Sequence, residues 1–210
     1  MTKPLRLLLF STAVACVALG GAAHALGSAK SNGSSYLTIG ASSNAYGISA
    51  RIAQLDAPHI LNGSVAGWVR VGGREGPLAL KEWLQVGSAA FPVPGITGEI
   101  YYEVALPNRY PIYHDVSTGV AVGTYTKVTV LEMHNRPNWW RVWVNHRPVS
   151  PPILLPESRH VKPTVKSECW DSGIGGVCND FPYSFRDVSI ARAPGGDWQQ
   201  LTDGSPVESS

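Results

Sequence analysis

Two residues of this chain have types that could break a bond without a metal, if folding brings them together. They are Gln85, in Glu82-Trp83-Leu84-Gln85-Val86-Gly87, and Glu168, in Ser167-Glu168-Cys169-Trp170. A carboxylate can take a proton from water as the water attacks a carbonyl carbon, and later return it to a leaving amine. A nearby amide can orient that water through its oxygen and stabilise an oxyanion through its N–H. If 83–87 is a strand, Trp83 and Gln85 share one face while Leu84 and Val86 share the other. The apolar pair then turns inward and leaves an amide beside an aromatic ring outside, an odd use of a strand face unless something binds there.

Trp68 and Glu103 join this set if their strands are neighbours of the Gln85 strand. Other catalytic patterns are absent: there is no Gly-x-Ser-x-Gly, no His-Glu-x-x-His, and Gly72-Gly73-Arg74-Glu75-Gly76 lacks the Lys-Ser/Thr ending of a phosphate loop. His59, His114, His134, His146 and His160 are scattered, so no metal site and no cofactor is expected. His114-Asp115 beside a serine could form a triad, a coincidence that many chains offer. Alternation alone also allows a plain structural role. Gln85 would then be a surface strand residue, Glu103 and Glu168 carboxylates paired with Arg70 or Lys166, and the tryptophans filling of the core.

The elements that must position these groups read as strands. Residues 45–52 put Tyr46, Ile48, Ala50 and Ile52 on one side; Asn62-Gly63 is a hairpin-type turn; 65–73 follows, with Val69 and Val71 opposed to Trp68 and Arg70. Residues 78–83 fit either a short helical turn or the approach to the Gln85 strand. Strands are expected at 100–106, 126–131 and 139–144, the last turning at Asn145-His146 into 147–149, and then at 166–170, 183–191 and 198–201. No stretch of a dozen residues sustains a helical period. An all-β fold follows, with apolar residues inward and Trp, Tyr, Gln, Glu and Arg outward. The expected architecture is a concanavalin-like jelly-roll sandwich of two antiparallel sheets with a decorated concave side.

Residues 1–25 read as an export signal, with Lys3 and Arg6 ahead of an apolar run and Ala23-His24-Ala25 as the cleavage pattern. The run is short for a membrane span, and the chain stays apolar after Cys16, which argues against a lipid anchor there. Removing the signal leaves 15 basic and 15 acidic residues, so no charge excess remains for a phosphate backbone. Neither nucleic acid nor, after cleavage, a membrane is an expected partner. Residues 26–44 form a flexible leader with room for a peripheral strand at its end, 45–201 a single domain, and 202–210 a polar tail. A secreted, extracellular monomer is expected. Cys169 and Cys178 then remain as an even pair, most simply a disulfide closing a glycine-rich loop and contributing about 3 kcal/mol.

Taken together, Trp68-Val69-Arg70-Val71-Gly72-Gly73, Leu84-Gln85-Val86-Gly87, Tyr101-Tyr102-Glu103 and Ser167-Glu168-Cys169-Trp170 resemble, in order and approximate spacing, the motifs of the eqolisin family of glutamic peptidases. The resemblance spans about residues 65–190. It implies a concanavalin-like sandwich and a secreted, acid-acting endopeptidase with Gln85 and Glu168 catalytic and Trp68 and Glu103 in support. Trp83 and Tyr101 are candidates for contacting a peptide or protein substrate. Two departures stand out: Gly72 where the family carries Asp, and Cys169 between the glutamate and Trp170. The rival readings are a carbohydrate-binding sandwich that stacks glycans on Trp68, Trp83 and Tyr101, and a secreted interaction module with no site.

Overall fold

The computed structural model describes residues 34–39, 45–54, 60, 63–73, 82–92, 98–156, 163–170, 183–201 and 207–208. The export signal, Asn62, Cys178 and most of the 78–83 segment lie outside the described residues, and Trp83 begins a strand. The strands are β1 (Ser34–Ile39), β2 (Gly47–Gln54), β3 (Ser64–Gly72), β4 (Trp83–Ala90), β5 (Glu99–Ala105), β6 (Ile112–Thr118) and β7 (Thr126–Glu132). They continue as β8 (Trp139–Val144), β9 (Arg147–Pro148), β10 (Ile153–Leu154), β11 (Thr164–Trp170), β12 (Tyr183–Ala193), β13 (Gly196–Gln200) and β14 (Val207–Glu208). There is no helix among the described residues.

Two antiparallel sheets result. The first runs β14-β1-β11-β3-β4-β5-β6; the second runs β10-β8-β7-β2-β12-β13, with β9 paired to β8. Between them lies one core. The first sheet supplies Val69, Val71, Leu84, Val86 and Val165, and the second Ile48, Ile52, Val128, Val130, Val142 and Phe185. Each such side chain, fully withdrawn from water, stabilises by roughly 1.5 to 3 kcal/mol. The period-two readings of β3 and β4 hold, since Val69 and Val71 of β3 and Leu84 and Val86 of β4 fill this layer. Core filling by tryptophan holds for Trp140, while Trp68 packs in a separate cluster on the outer face of the first sheet.

The structure departs from the sequence reading at the margins. β1 lies within 26–44 and pairs on both sides, with β11 and with β14, so it is an interior strand there. β14 itself falls within the stretch read as a polar tail. β6 was not anticipated: it is the edge of its sheet and mostly exposed, so its sequence Ile-Tyr-His-Asp-Val-Ser-Thr carries no alternation to read. The turn at Asn145-His146 is as expected, both residues having positive φ as a two-residue hairpin requires.

Candidate functional site

The registers of the first sheet arrange its outer face in rows. One row is Arg70–Gln85–Glu103–Tyr113, across β3 to β6. The next is Lys166–Trp68–Gly87–Tyr101–Asp115, and a third is Glu168–Ala66–Ala89–Glu99. The rows are two residues apart along the strands, so all of these side chains share one face. Gln85, Glu103, Trp68, Tyr101 and Glu168 are thus on one surface, with the Trp68 row lying between Gln85 and Glu168. On a flat sheet the Cα atoms of Gln85 and Glu168 would stand roughly 16 Å apart, so the two groups meet only by reaching along the face.

Within the first row, Gln85 Nε2 donates to Glu103 Oε2 at 3.0 Å and to Tyr101 Oη at 3.2 Å. Gln85 is 3% exposed and Glu103 1%. Burial pushes the Glu103 carboxyl up to about 8, helped by the charge of Glu168 and opposed by the Arg70 guanidinium. Burial also holds the Tyr101 phenol well above its ordinary range, with Glu103 and Glu168 adding to the effect. Glu168 therefore reaches both groups through its field. Its direct contact is with Lys166, whose Nζ lies 2.7 Å from Glu168 Oε2, with side chains 8% and 18% exposed respectively. Among the described residues the hydrogen bonds of Gln85 go to Tyr101 and Glu103, and none joins it to Glu168. The pairing of Glu168 with Lys166 is the one that the plain structural reading allowed.

The aromatic floor explains how polar groups are tolerated here. Tyr113 stacks on Tyr101 with ring centres 4.7 Å apart and donates to Glu99, while Phe91 meets Tyr113 edge-on. The Trp68 ring is flanked by Arg70 at 4.7 Å and by Lys166 at 5.5 Å. A Cβ on Gly87 would fall 2.6 Å from Trp68 Cβ, so the glycine lets that ring lie down on the sheet. Trp68 and Tyr101 are consequently only 1% and 2% exposed. They act as floor, and neither offers an open plane to a sugar. Trp83 is half-buried, 6.0 Å from Arg70.

Gly72 has φ +76°, and a Cβ there would lie 2.5 Å from the Glu82 carbonyl oxygen, so the position suits glycine and has no room for the family's Asp. His114 and Asp115, adjacent on β6, point to opposite faces; His114 stacks on Tyr102 at 4.4 Å, and burial lowers its pKa. They do not form a triad base with its orienting acid. The described histidines, cysteine and acids include no cluster able to hold a metal. Cys169 is buried, and its expected partner Cys178 lies outside the described residues. Sequence reasoning missed Glu99 and Tyr113 as site groups and had Arg70 and Lys166 only as ion-pair partners of the carboxylates. The period-two run Glu99-x-Tyr101-x-Glu103 carried the signal for Glu99, whereas Tyr113 was hidden with β6.

No family model and no curated protein matches this sequence. Among solved structures, the chain is similar to scytalido-glutamic peptidase bound to a peptide-based transition-state analogue, at 18% identity over 85% of this chain and 89% of that one, TM-score 0.48. A second crystal structure of that peptidase, with a transition-state analogue inhibitor, matches at 18% identity over 88% and 84%, TM-score 0.43. It is also similar to SCP-B, a member of the eqolisin family in complex with the tripeptide Ala-Ile-His, at 16% identity over 87% and 92%, TM-score 0.40. These are distant likenesses to the structures of glutamic peptidases, and at this level they assign no activity.

Proposed function

We propose that this chain is an exported, acid-acting peptide hydrolase working in the manner of glutamic peptidases, with Glu168 as general base and Gln85 orienting the attacking water. The observation that carries the reading is the 3.0 Å bond from Gln85 to a buried Glu103 on the face that also holds Glu168. Both amide hydrogens of Gln85 are committed, to Glu103 and Tyr101, which leaves its carbonyl oxygen as the group to accept from a water. Glu103 is neutral below about pH 8, so the buried site holds a carboxylic acid rather than a second charge. Glu168 is reached by solvent. It would take the proton of the water as its oxygen attacks the peptide carbonyl, then pass that proton to the leaving amine as the C–N bond breaks. Because the Gln85 N–H groups are engaged, the cation at Lys166 beside Glu168 is the group that would offset charge on the oxyanion.

Export by residues 1–25, a Cys169–Cys178 bridge and action as a monomer complete the proposal. The motif resemblance supports it independently of the geometry. Acid-denatured protein incubated with the mature chain at acidic pH should yield new peptide termini by mass spectrometry. Gln85→Ala should lower the rate by about a hundredfold, the usual effect of losing one preorganised polar group at a reacting centre. Cleavage undiminished in that variant would remove Gln85 from the mechanism.

A further inference from the structure

The outer face of the second sheet, on the far side of the molecule from the candidate site, carries an arrangement that stability alone disfavours. Arg186 of β12 stands directly opposite Arg51 of β2, and Arg51 directly opposite Lys127 of β7. Like charges in opposed positions destabilise a sheet. With strands about 4.8 Å apart, three cations fall within roughly 10 Å. Among the described residues the acid paired with them is Asp187, at the bulge after Arg186 and 3.9 Å from Arg51, and both partners are more than half exposed. A pair so exposed offsets little of the repulsion. Arg186 lies over the Tyr125 ring at 4.3 Å, which holds its guanidinium against the sheet.

Aromatic rings project from the same face. Trp143 lies opposite Thr129, one row along from the cations, and Trp198 lies opposite Ala191, two rows along. Trp143 is half-buried and Trp198 is 41% exposed. The three cations come from strands dozens of residues apart, so a chain of formal net charge only +2 gathers a basic row that its linear sequence does not show.

We propose that this face binds an acidic polysaccharide, whose carboxylate or sulfate groups meet Arg186, Arg51 and Lys127 while its sugar rings rest on Trp143 and Trp198. Guanidinium groups match such planar oxyanions with paired hydrogen bonds. A sheet face admits an extended polymer along it, and tryptophan supplies apolar area at little entropic cost. The row is too short for strong duplex binding, which takes roughly six to ten phosphate contacts. The face is separate from the candidate active site and does not depend on the peptidase reading.

Affinity electrophoresis of the full mature chain through gels containing alginate, dextran sulfate or neutral dextran tests this. Retardation is expected with at least one acidic glycan and not with dextran. Arg51→Gln, Lys127→Gln and Arg186→Gln should each weaken it roughly two- to fivefold, as for exposed charge pairs, and the triple variant should abolish it. Trp198→Ser should weaken glycan binding with the salt dependence unchanged, and Glu168→Gln should leave it intact. Relief of repulsion should let the triple variant melt no lower than the parent. The proposal is overturned by absent retardation, by a triple variant that binds equally, or by one that melts well below the parent. Preference for oligothymidylate or for anionic vesicles over the glycans would also overturn it.

Discussion

Glu103 is the residue on which the electrostatics of the site turn. Its carboxyl is neutral in the fold until about pH 8 and ionised above about pH 4.5 in the unfolded chain, so between these values the folded state binds the extra proton. By linkage, this group's contribution is complete below the lower value and is lost as pH rises through the upper one, on the order of 5 kcal/mol in all. Urea midpoints measured from pH 4 to 9 should therefore fall towards the alkaline end, and Glu103→Gln, which keeps a neutral group against Gln85, should flatten that fall. A variant whose midpoints track the parent at every pH would show that Glu103 is not the titrating group. Tyr101→Phe removes the other partner of Gln85 and leaves one buried amide hydrogen unmet, a cost of roughly 1 to 3 kcal/mol. Its effect on peptide cleavage should fall on kcat more than on KM, because what is disturbed is the direction of Gln85 rather than the fit of the substrate.

Strands and their ends set where these residues can go. The positive φ of Gly72 closes β3 against Glu82, whose carbonyl also accepts from the Gly73 amide at 2.7 Å. Gly72→Asp, which would introduce the residue that the resembled motif carries there, should destabilise the fold by at least about 1 to 2 kcal/mol from the left-handed backbone alone. It should lower the melting temperature without raising activity. Gly87→Ala should cost more, since its methyl would displace Trp68 from the floor beside Gln85. The β3, β4 and β5 strands were legible because each alternates apolar residues on the core face with polar or aromatic ones on the other. Trp83 with Gln85, and Tyr101 with Glu103, could be placed together from alternation alone. β6 was not legible, because an exposed edge strand has no buried face to impose a pattern, and with it went Tyr113 and the true setting of His114. Nor could alternation give the register that sets the Trp68 row between Gln85 and Glu168, since register depends on turns and on pairing between distant strands. Lys166 could be named from sequence as a possible partner of Glu168, but its burial against Trp68 could not.

At the scale of the whole molecule, the sandwich separates two surfaces that the composition alone conceals. One outer face holds a buried amide, a neutral carboxylic acid and a solvent-reached carboxylate paired to a lysine; the other holds the basic row with its tryptophans. The core between them is apolar and continuous, so a change on one face should leave the other undisturbed, and effects of substitutions across the sandwich should add. The central claim is that water is activated at Glu168. Glu168→Gln preserves the shape of the side chain and removes its basicity. The decisive quantity is the rate at which this variant, shown by near-ultraviolet circular dichroism and melting to be folded, releases peptides from acid-denatured protein at acidic pH. A fall of about a hundred- to ten-thousandfold is the predicted result, as expected when a general base is lost; a folded variant that cleaves at the parent's rate would contradict the account.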